Sequence, residues 1–215
     1  MRTQQTDFWS GDFGRDYTVR NTMDQEAWNE MYLKNYGVTR ANMNNEFLHS
    51  LPRDFSILEI GSNTGHQLHA LQQNGFTNLY GIELQFGAAN LAQKLRKDIH
   101  VVQASGFEIP FETGSFNLIF TSGVLIHIAP HDLPLIMGEI HRCSSRYIWG
   151  FEYYSERSRE INYRGNTSVL WKADYASIFM KSFPDLTLIK KMFYPYIDEN
   201  ENNNVDCMYL LEKQL

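Results

Sequence analysis

Two glutamates and two glycines have the types and spacing of a small-ligand site. Glu59 lies in a run of apolar residues, and Gly61 and Gly65 follow in the turn before a helical segment. Glu83 ends the next apolar run, about 20 residues further along, where an acid commonly hydrogen-bonds ribose hydroxyls. A strand, a glycine turn and a helix in this order place backbone N–H groups at the carboxyl end of a strand. The pattern predicts a site for a nucleotide-like ligand.

The details of this turn argue against a dinucleotide. The dinucleotide fingerprint is G-x-G-x-x-G, whereas Gly61 and Gly65 form G-x-x-x-G. The carboxylate of Glu59 would repel a phosphate and attract an ammonium group. A ribose, a positively charged amino acid end and no phosphate together describe S-adenosylmethionine, which is the cofactor we predict. The alternative is an ordinary α/β turn with two incidental acids.

Apolar runs and helical spacings alternate along the chain, which predicts an α/β fold with right-handed crossovers. We expect a Rossmann-like, seven-stranded, mostly parallel sheet that an antiparallel C-terminal hairpin closes, with an N-terminal helical lid. The expected strands cover residues 57–60, 79–83, 100–104, 116–121, 146–151, 186–196 and 207–213. The expected helices cover residues 24–35, 39–51, 66–74, 86–96, 132–143, with Asp132 as N-cap, and 174–181.

The 215 residues are enough for a single domain. Within it we assign 1–54 to the lid and first helices and 55–151 to the cofactor-binding core. Residues 152–169 are polar and lack periodicity, so they are interpreted as a loop on the acceptor side. Residues 170–215 supply the last helix and the hairpin, whose linker 198–206 is predicted to be a solvated turn.

Composition excludes several classes of protein. The net charge of −6 and the lack of a long basic run argue against binding to nucleic acid or to an anionic membrane. The two cysteines form no metal or redox motif, and no metal site is expected. The N-terminus is too polar for a signal peptide, and no apolar run reaches the ~18 residues that span a bilayer. A soluble, cytoplasmic protein is the simplest expectation; the oligomeric state stays open.

Seven further motifs, spread over nearly the whole chain, extend the interpretation. They are FWSGDFGRDYTVRN (8–21), SGVLIHI (122–128), EYY (152–154), YRG (163–165), WKADY (171–175), FPDL (183–186) and YLLEK (209–213). With the core motifs they make the chain resemble the pseudaminic acid biosynthesis-associated methyltransferases, which are class I enzymes. The resemblance implies the class I fold, S-adenosylmethionine and, through association with the pathway, a nonulosonic acid or related sugar as substrate.

Cofactor contacts are expected from the ends of four strands and from the N-terminal segment. Class I enzymes commonly carry an Asp after the third strand, whereas this chain has Ser105, which could hydrogen-bond adenine, and Phe107, which could pack on the ring. Tyr17 could cover the methyl donor, and Arg20 could pair with a carboxylate. The full predicted set is Tyr17, Arg20, Glu59, Gly61, Ser62, Asn63, Gly65, Glu83, Leu84, Ala104, Ser105, Phe107, Ser122 and Val124.

The candidate catalytic residues are His127 and Tyr17. His127 follows the fourth strand, at the edge where ligands bind, and a pKa near neutrality would suit a general base. The alternative is a histidine that packs beside the cofactor or hydrogen-bonds backbone. His66 could line the cofactor helix, and His69 is predicted on its exposed face. Trp9 and Phe13 are interpreted as core residues.

Acceptor contacts are predicted after the fifth strand. Tyr153, Tyr154 and Arg164 are the candidates, because loops after this strand are expected to face the acceptor. Arginine also binds a carboxylate in bidentate fashion, and nonulosonic acids carry a carboxylate. Glu152 and Tyr163 lie in the same expected loop, and a solvated Arg164 is the alternative. The sequence thus favours methyl transfer to O or N of a small molecule. Methylation of another metabolite and a non-catalytic cofactor-binding scaffold are the competing functions.

Overall fold

The computed structural model describes residues 2–197 and 204–214. Four helices precede the first strand: α1 (Gln4–Ser10), α2 (Asp12–Asn21), α3 (Gln25–Tyr36) and α4 (Arg40–Leu48). Side-chain oxygens of Thr3, Asp24 and Thr39 accept backbone N–H groups at the starts of α1, α3 and α4. The segment predicted as a lid is therefore a pair of short helices that Gly11 separates.

Strands and helices then alternate. The order is β1 (Ser56–Ile60), α5 (His66–Gln73), β2 (Asn78–Glu83), α6 (Phe86–Leu95), β3 (Ile99–Gln103), β4 (Phe116–Ser122), a 3-10 turn (Leu125–His127), α7 (Leu133–Cys143) and β5 (Ser144–Tyr153). The chain continues with β6 (Arg159–Glu160), β7 (Trp171–Lys172), α8 (Tyr175–Ser182), β8 (Leu186–Pro195) and β9 (Val205–Lys213).

Seven of these strands form one sheet in the order β3-β2-β1-β4-β5-β9-β8. The first five are parallel, whereas β9 pairs antiparallel with both β5 and β8. The predicted fold class is confirmed, including the closing hairpin. Because the strand order reverses between β1 and β4, a crevice opens at their carboxyl ends.

Apolar clusters cover both faces of the sheet. Ile57 and Leu79 pack on one face with α3, α4 and α5, and Leu58 and Ile60 pack on the other with α7 and α8. Strands that are buried on both faces are typical of parallel sheets. This two-sided core holds the strand ends rigidly, and the loops that follow them are positioned from there.

Three predictions about local structure need correction. The expected loop 152–169 contains β6, which pairs with β7 in a two-stranded ribbon too short for a periodic pattern. Glu152 and Tyr153 belong to β5, because pairing with β9 extends that strand. Asp132 occupies the N-cap position of α7 without a side-chain cap hydrogen bond.

Most of the predicted solvated turn, 198–203, lies outside the described residues. In residues 2–197 and 204–214, no helix combines the length and apolar composition that crossing a bilayer requires.

Candidate functional site

A cavity of about 290 Å³ occupies the crevice at the carboxyl ends of β1, β2 and β4. The strand ends form its floor, and residues of α1, α2 and α3 form its roof and one wall. The structure brings most predicted cofactor residues and the predicted base into this lining: Tyr17, Glu59, Gly61, Ser62, Asn63, Glu83, Leu84, Ala104, Ser105, Phe107, Ser122, Val124 and His127.

The turn after β1 requires glycine for two reasons. Gly61 has φ 71°, and a Cβ there would lie 2.7 Å from Cγ2 of Val124. The N–H groups of Gly61 and Ser62 both donate to the carbonyl of Ile82, at 2.8 and 3.0 Å. The turn is therefore folded tightly over β2, and its close approach to Val124 narrows the cavity floor.

Glu59 presents a buried carboxylate to the cavity. The residue is 3% exposed, and among the described residues Oε2 has no hydrogen-bond partner. Burial raises the pKa of Glu59 well above its ordinary value; Arg40 lowers it, and the neighbouring Glu83 raises it further. Since a buried unpaired carboxylate is costly, this group is suited to a cationic ligand group such as an ammonium.

Glu83 lies at the end of β2 and holds two loops together. Its Oε2 accepts the Asn63 N–H and its Oε1 accepts the Gln85 N–H, each at 2.8 Å. Burial raises the pKa of Glu83, although these two hydrogen bonds lower it. Each carboxylate oxygen keeps a further lone pair, so Glu83 can accept ribose hydroxyls without losing either backbone bond.

Buried polar atoms without a partner concentrate at this cavity. Folded proteins leave few such atoms, so a cluster of them marks a place where a polar ligand completes the hydrogen bonds. Within the described part of the chain they include Trp9 Nε1, Glu59 Oε2, Ser62 Oγ, Asn63 Oδ1 and Gln67 Oε1. The mixture of donors and acceptors beside two carboxylates fits the amino acid end and the ribose of S-adenosylmethionine.

The turn after β3 closes the cavity at its far end. The Ser105 hydroxyl accepts the Phe107 N–H at 3.2 Å, and a Cβ at Gly106 would lie 2.9 Å from Ile60 and Ile136 side-chain carbons. The backbone of this turn thus approaches the core closely, which leaves Ser105 and Phe107 in the lining. Their predicted contacts with adenine remain predictions.

The lid helices are anchored over the cavity by side-chain amides. Gln85 donates through Nε2 to the carbonyl oxygens of Trp9 and Gly11, and Gln5 donates to the carbonyl of Ser168 at 3.2 Å. Trp9 lines the cavity and packs edge to face on Tyr17, 5.2 Å between ring centroids. The interpretation of Trp9 as a core residue is therefore wrong, because α1 lies on the site and not on either apolar face of the sheet.

Phe13 is also misassigned to the core. Its ring is half-buried within the lid, 4.2 Å from Phe8, and 5.9 Å from the ring of Tyr163. It joins α2 to the loop between β6 and β7. The contact extends the lid toward the segment 152–169, which was predicted to face the acceptor.

His127 ends the 3-10 turn that follows β4. Its Nδ1 lies 2.8 Å from the carbonyl oxygen of Val169, which accepts the Nδ1–H and leaves the lone pair on Nε2. Burial lowers the pKa of His127 to about 4. The expectation of a pKa near neutrality is wrong, because the ring is enclosed between the lid and the ribbon. At neutral pH the imidazole is an uncharged hydrogen-bond acceptor.

Glu152 supports the turn that carries His127. Its carboxylate accepts the N–H groups of Val124 and Ile126, at 3.2 and 3.4 Å. The residue is 2% exposed, and burial raises its pKa to about 7. The prediction that Glu152 faces the acceptor from a loop is wrong, since the β5–β9 pairing places it beneath the turn.

Five predicted site residues lie outside the cavity lining. Gly65 is the N-cap residue that precedes α5; its φ is 73°, and a Cβ there would lie 3.3 Å from Arg96. The guanidinium of Arg20 is exposed and lies 5.7 Å from the Phe13 ring. The remaining three, Tyr153, Tyr154 and Arg164, were predicted to bind the acceptor.

None of the three predicted acceptor residues lines the described cavity. Tyr153 lies under Lys172, 5.3 Å from Nζ to the ring centroid, and Tyr154 packs on Phe193 at 4.7 Å. Arg164 is exposed in a tight turn with φ 51°. The tight turn follows from the hydrogen bonds between Tyr163 and Asn166, which direct this segment outward.

Several lining residues escaped the sequence analysis. Tyr32 of α3, Gln67 of α5 and Gln85 reach the cavity beside Trp9. The aromatic spacing of α3 indicated only a buried helix face. The contacts of these residues depend on how α1 and α3 cross the sheet edge, for which no local pattern exists.

Comparison with known proteins identifies the catalytic class. Residues 58–146, from β1 into β5, match the family model described as "Methyltransferase domain". Residues 58–146 therefore carry a methyltransferase domain, and the chain is an S-adenosylmethionine-dependent enzyme with the class I fold. S-adenosylmethionine is accordingly its cofactor, as the turn chemistry predicted. No curated protein matches the sequence.

Solved structures share the fold of this methyltransferase at low sequence identity. One is the protein in complex with the Trm112 methyltransferase activator of Haloferax volcanii, at 12% identity and TM-score 0.71, covering 99% of this chain and 98% of that chain. Another is the PH0226 protein of Pyrococcus horikoshii OT3, at 12% identity and TM-score 0.66, covering 92% of this chain and 95% of that chain. A third is an S-adenosylmethionine-dependent methyltransferase of Methanosarcina mazei, at 16% identity and TM-score 0.63, covering 78% of this chain and 96% of that chain.

Proposed function

We propose that this methyltransferase methylates an oxygen or nitrogen of a small, sugar-like molecule. The observation that carries the proposal is the lid: α1 and α2 lie over the cavity and contribute Trp9 and Tyr17 to its lining. A roof of this kind excludes water from the reacting atoms and leaves room for a small acceptor better than for a polymer.

The chemistry of the lining also supports a neutral, hydroxyl-rich acceptor group. Thr6, Thr18, Asn21 and Ser122 supply uncharged hydrogen-bonding groups. Among the lining residues that the structure describes, none is a lysine or an arginine. The atom that receives the methyl group is therefore expected on an uncharged part of the acceptor.

When bound, S-adenosylmethionine would supply a methyl group that its sulfonium already activates. Glu59 would hold the ammonium group, and Glu83 the ribose hydroxyls. Trp9 and Tyr17 would exclude water. Their combined effect is alignment, which can be worth about 7–11 kcal/mol in favourable cases.

His127 would orient the acceptor through Nε2. Methylation of a hydroxyl oxygen would make the hydroxyl proton strongly acidic. A base whose pKa is about 4 is then sufficient to take it. Since Nδ1–H is held by Val169, the proton can only be accepted at Nε2.

A nonulosonic acid, or a related sugar, is the first acceptor class to test. The motifs shared with the pseudaminic acid-associated methyltransferases support it. Arg164, exposed one residue after Tyr163, is retained as a candidate for the acceptor carboxylate outside the cavity. Tyr153 and Tyr154 are retained only as candidates for the outer part of the acceptor.

The test has two measurements on the purified chain. Calorimetric titration with S-adenosylmethionine tests cofactor binding, and the absence of heat would favour a scaffold that does not use the cofactor. A non-catalytic cofactor-binding scaffold would bind the cofactor but give no methylated product in the second measurement. Product mass is then followed with a nonulosonic acid, its neutral precursor sugars and unrelated small amines and phenols. A gain of one methyl on a sugar supports the proposal; methylation of the unrelated molecules alone would replace it with another metabolite as substrate.

A further inference from the structure

A buried cation lies behind one wall of the cofactor cavity. Arg40, the first residue of α4, is 0% exposed, and its guanidinium stacks 4.2 Å from the Phe151 ring centroid and 5.5 Å from that of Trp149. Its Nε donates to Asn44 Oδ1 at 2.8 Å. Among the described residues no carboxylate lies within ion-pair distance of it, and Nη2 has no partner. Its charge lowers the pKa of two buried acids, Glu59 and Asp206, so it is balanced at longer range, whereas its Nη2 donor lacks a hydrogen-bond partner. A buried guanidinium with an unused donor is costly, which suggests that this part of the structure is completed when the protein is loaded.

Hydrogen bonds lead from Arg40 to the cavity through Tyr32. Arg40 Nη1 and Gln67 Nε2 both donate to the Tyr32 hydroxyl oxygen, each at 3.3 Å. A hydroxyl oxygen has two lone pairs, so both are occupied and the group must use its own proton as a donor. In the part of the chain that the structure describes, no group accepts that proton. Tyr32 and Gln67 both line the cavity.

We propose that Tyr32 donates a hydrogen bond to the carboxylate of the cofactor's amino acid end, with Arg40 and Gln67 as positioning residues. The cavity then offers opposite charges to the two ends of a zwitterion. Glu59, with its unpartnered Oε2, faces the ammonium, and the Arg40 charge lies behind the Tyr32 donor. Charge-assisted hydrogen bonds of this type are roughly twice as strong as neutral ones.

This assignment replaces Arg20 as partner of the cofactor carboxylate. Arg20 is exposed at the end of α2 and does not line the cavity, and its charge lies over Phe13. Arg40 also lowers the pKa of Glu59, which favours the ionised acid that an ammonium needs. The buried Arg40 thus supports two interactions of the amino acid end, the Tyr32 hydrogen bond to the carboxylate and the contact of Glu59 with the ammonium.

The test uses a cofactor analogue that lacks only the carboxylate. Binding of S-adenosylmethionine and of decarboxylated S-adenosylmethionine is measured by calorimetry for the wild-type chain and for Tyr32→Phe. We expect the variant to bind S-adenosylmethionine about tenfold more weakly and the decarboxylated analogue within about twofold of wild type. Tyr80→Phe, which removes the same atom from a tyrosine on β2 outside the lining, is the matched control and should change neither affinity.

If Tyr32→Phe lowered the affinity for both ligands equally, or left the affinity for S-adenosylmethionine unchanged, the assignment would be overturned. Arg40→Lys provides a second measurement, since it keeps the charge and removes the fixed donor geometry that orients Tyr32. This variant should weaken the binding of S-adenosylmethionine more than the binding of the decarboxylated analogue. If Arg40→Lys fails to fold, Tyr32→Phe alone decides.

Discussion

The indole ring of Trp9 lies 4.4 Å from the imidazole ring of His127, centroid to centroid, with their planes tilted by 57°. One ring belongs to the lid and the other to the turn after β4. The lid is therefore in direct contact with the predicted base. His127 also lies 5.5 Å from Tyr163, so three separate segments meet at one imidazole.

Trp9→Ala should lower kcat/KM for the acceptor by about tenfold. The change removes an aromatic packing interaction worth about 0.5–1.5 kcal/mol and part of the roof. Affinity for S-adenosylmethionine should fall less, because Glu59 and Glu83 are untouched. Trp9→Phe, which keeps a ring, is the matched control and should retain most of the activity. Equal kinetics for the alanine and phenylalanine variants would mean that the ring does not hold His127.

His127→Ala should lower kcat by about 10²–10⁴-fold with little effect on cofactor affinity, if Nε2 accepts the acceptor proton. The pH profile gives an independent check. Because the pKa of His127 is lowered to about 4, the neutral imidazole persists well below its ordinary pKa of 6.5. The wild-type kcat should thus stay level from pH 8 to about 5.5 and fall only below that. An inflection near pH 6.5 that His127→Ala abolishes would contradict the enclosed environment.

Glu152→Gln should reduce the dependence of stability on pH. The pKa of Glu152 is raised from 4.5 to about 7 in the folded chain, so the folded state binds its proton more tightly than the unfolded state. The resulting stability is complete below pH 4.5 and is lost as pH rises through about 7. That loss is on the order of 3 kcal/mol.

Urea unfolding at intervals between pH 4.5 and 8 measures this difference. Asp206, whose pKa is raised to about 6, titrates in the same window, but it does so in both proteins. His127 also titrates in both wild type and Glu152→Gln. The difference between wild type and Glu152→Gln therefore isolates Glu152, and parallel curves would refute its burial beneath the turn.

Gly61→Ala should weaken cofactor binding by at least tenfold and destabilise the fold. A left-handed backbone costs a non-glycine residue roughly 1–2 kcal/mol, and the new Cβ would lie 2.7 Å from Val124. Gly138→Ala is the matched control: it lies in α7, where an added Cβ meets nothing within 4 Å. The control should be neutral or stabilising by about 0.5–1 kcal/mol. Calorimetric binding and urea unfolding of both variants check the prediction, and similar results for the two would contradict it.

Local patterns predicted the parts of the site that lie close together in sequence. Glu59, Gly61 and Glu83 were found because one strand–turn–helix–strand unit contains them all. The same logic placed His127, since a residue after the fourth strand must lie at the sheet edge. It failed for Glu152, because extension of β5 by pairing with β9 is not visible in the residues of β5 alone.

The sequence by itself determined the α/β class, the closing hairpin and the chemistry of the cofactor, since periodicity and the spacing of acids and glycines act over short distances. Only the tertiary structure decided which residues line the cavity. Gln5 bonds a residue 163 positions away, and Gln85 holds the Trp9 carbonyl 76 positions away. Such contacts follow from the packing of helices over a sheet edge. Burial there also set the pKa of His127, because desolvation depends on everything that surrounds a group and not on its neighbours in the chain.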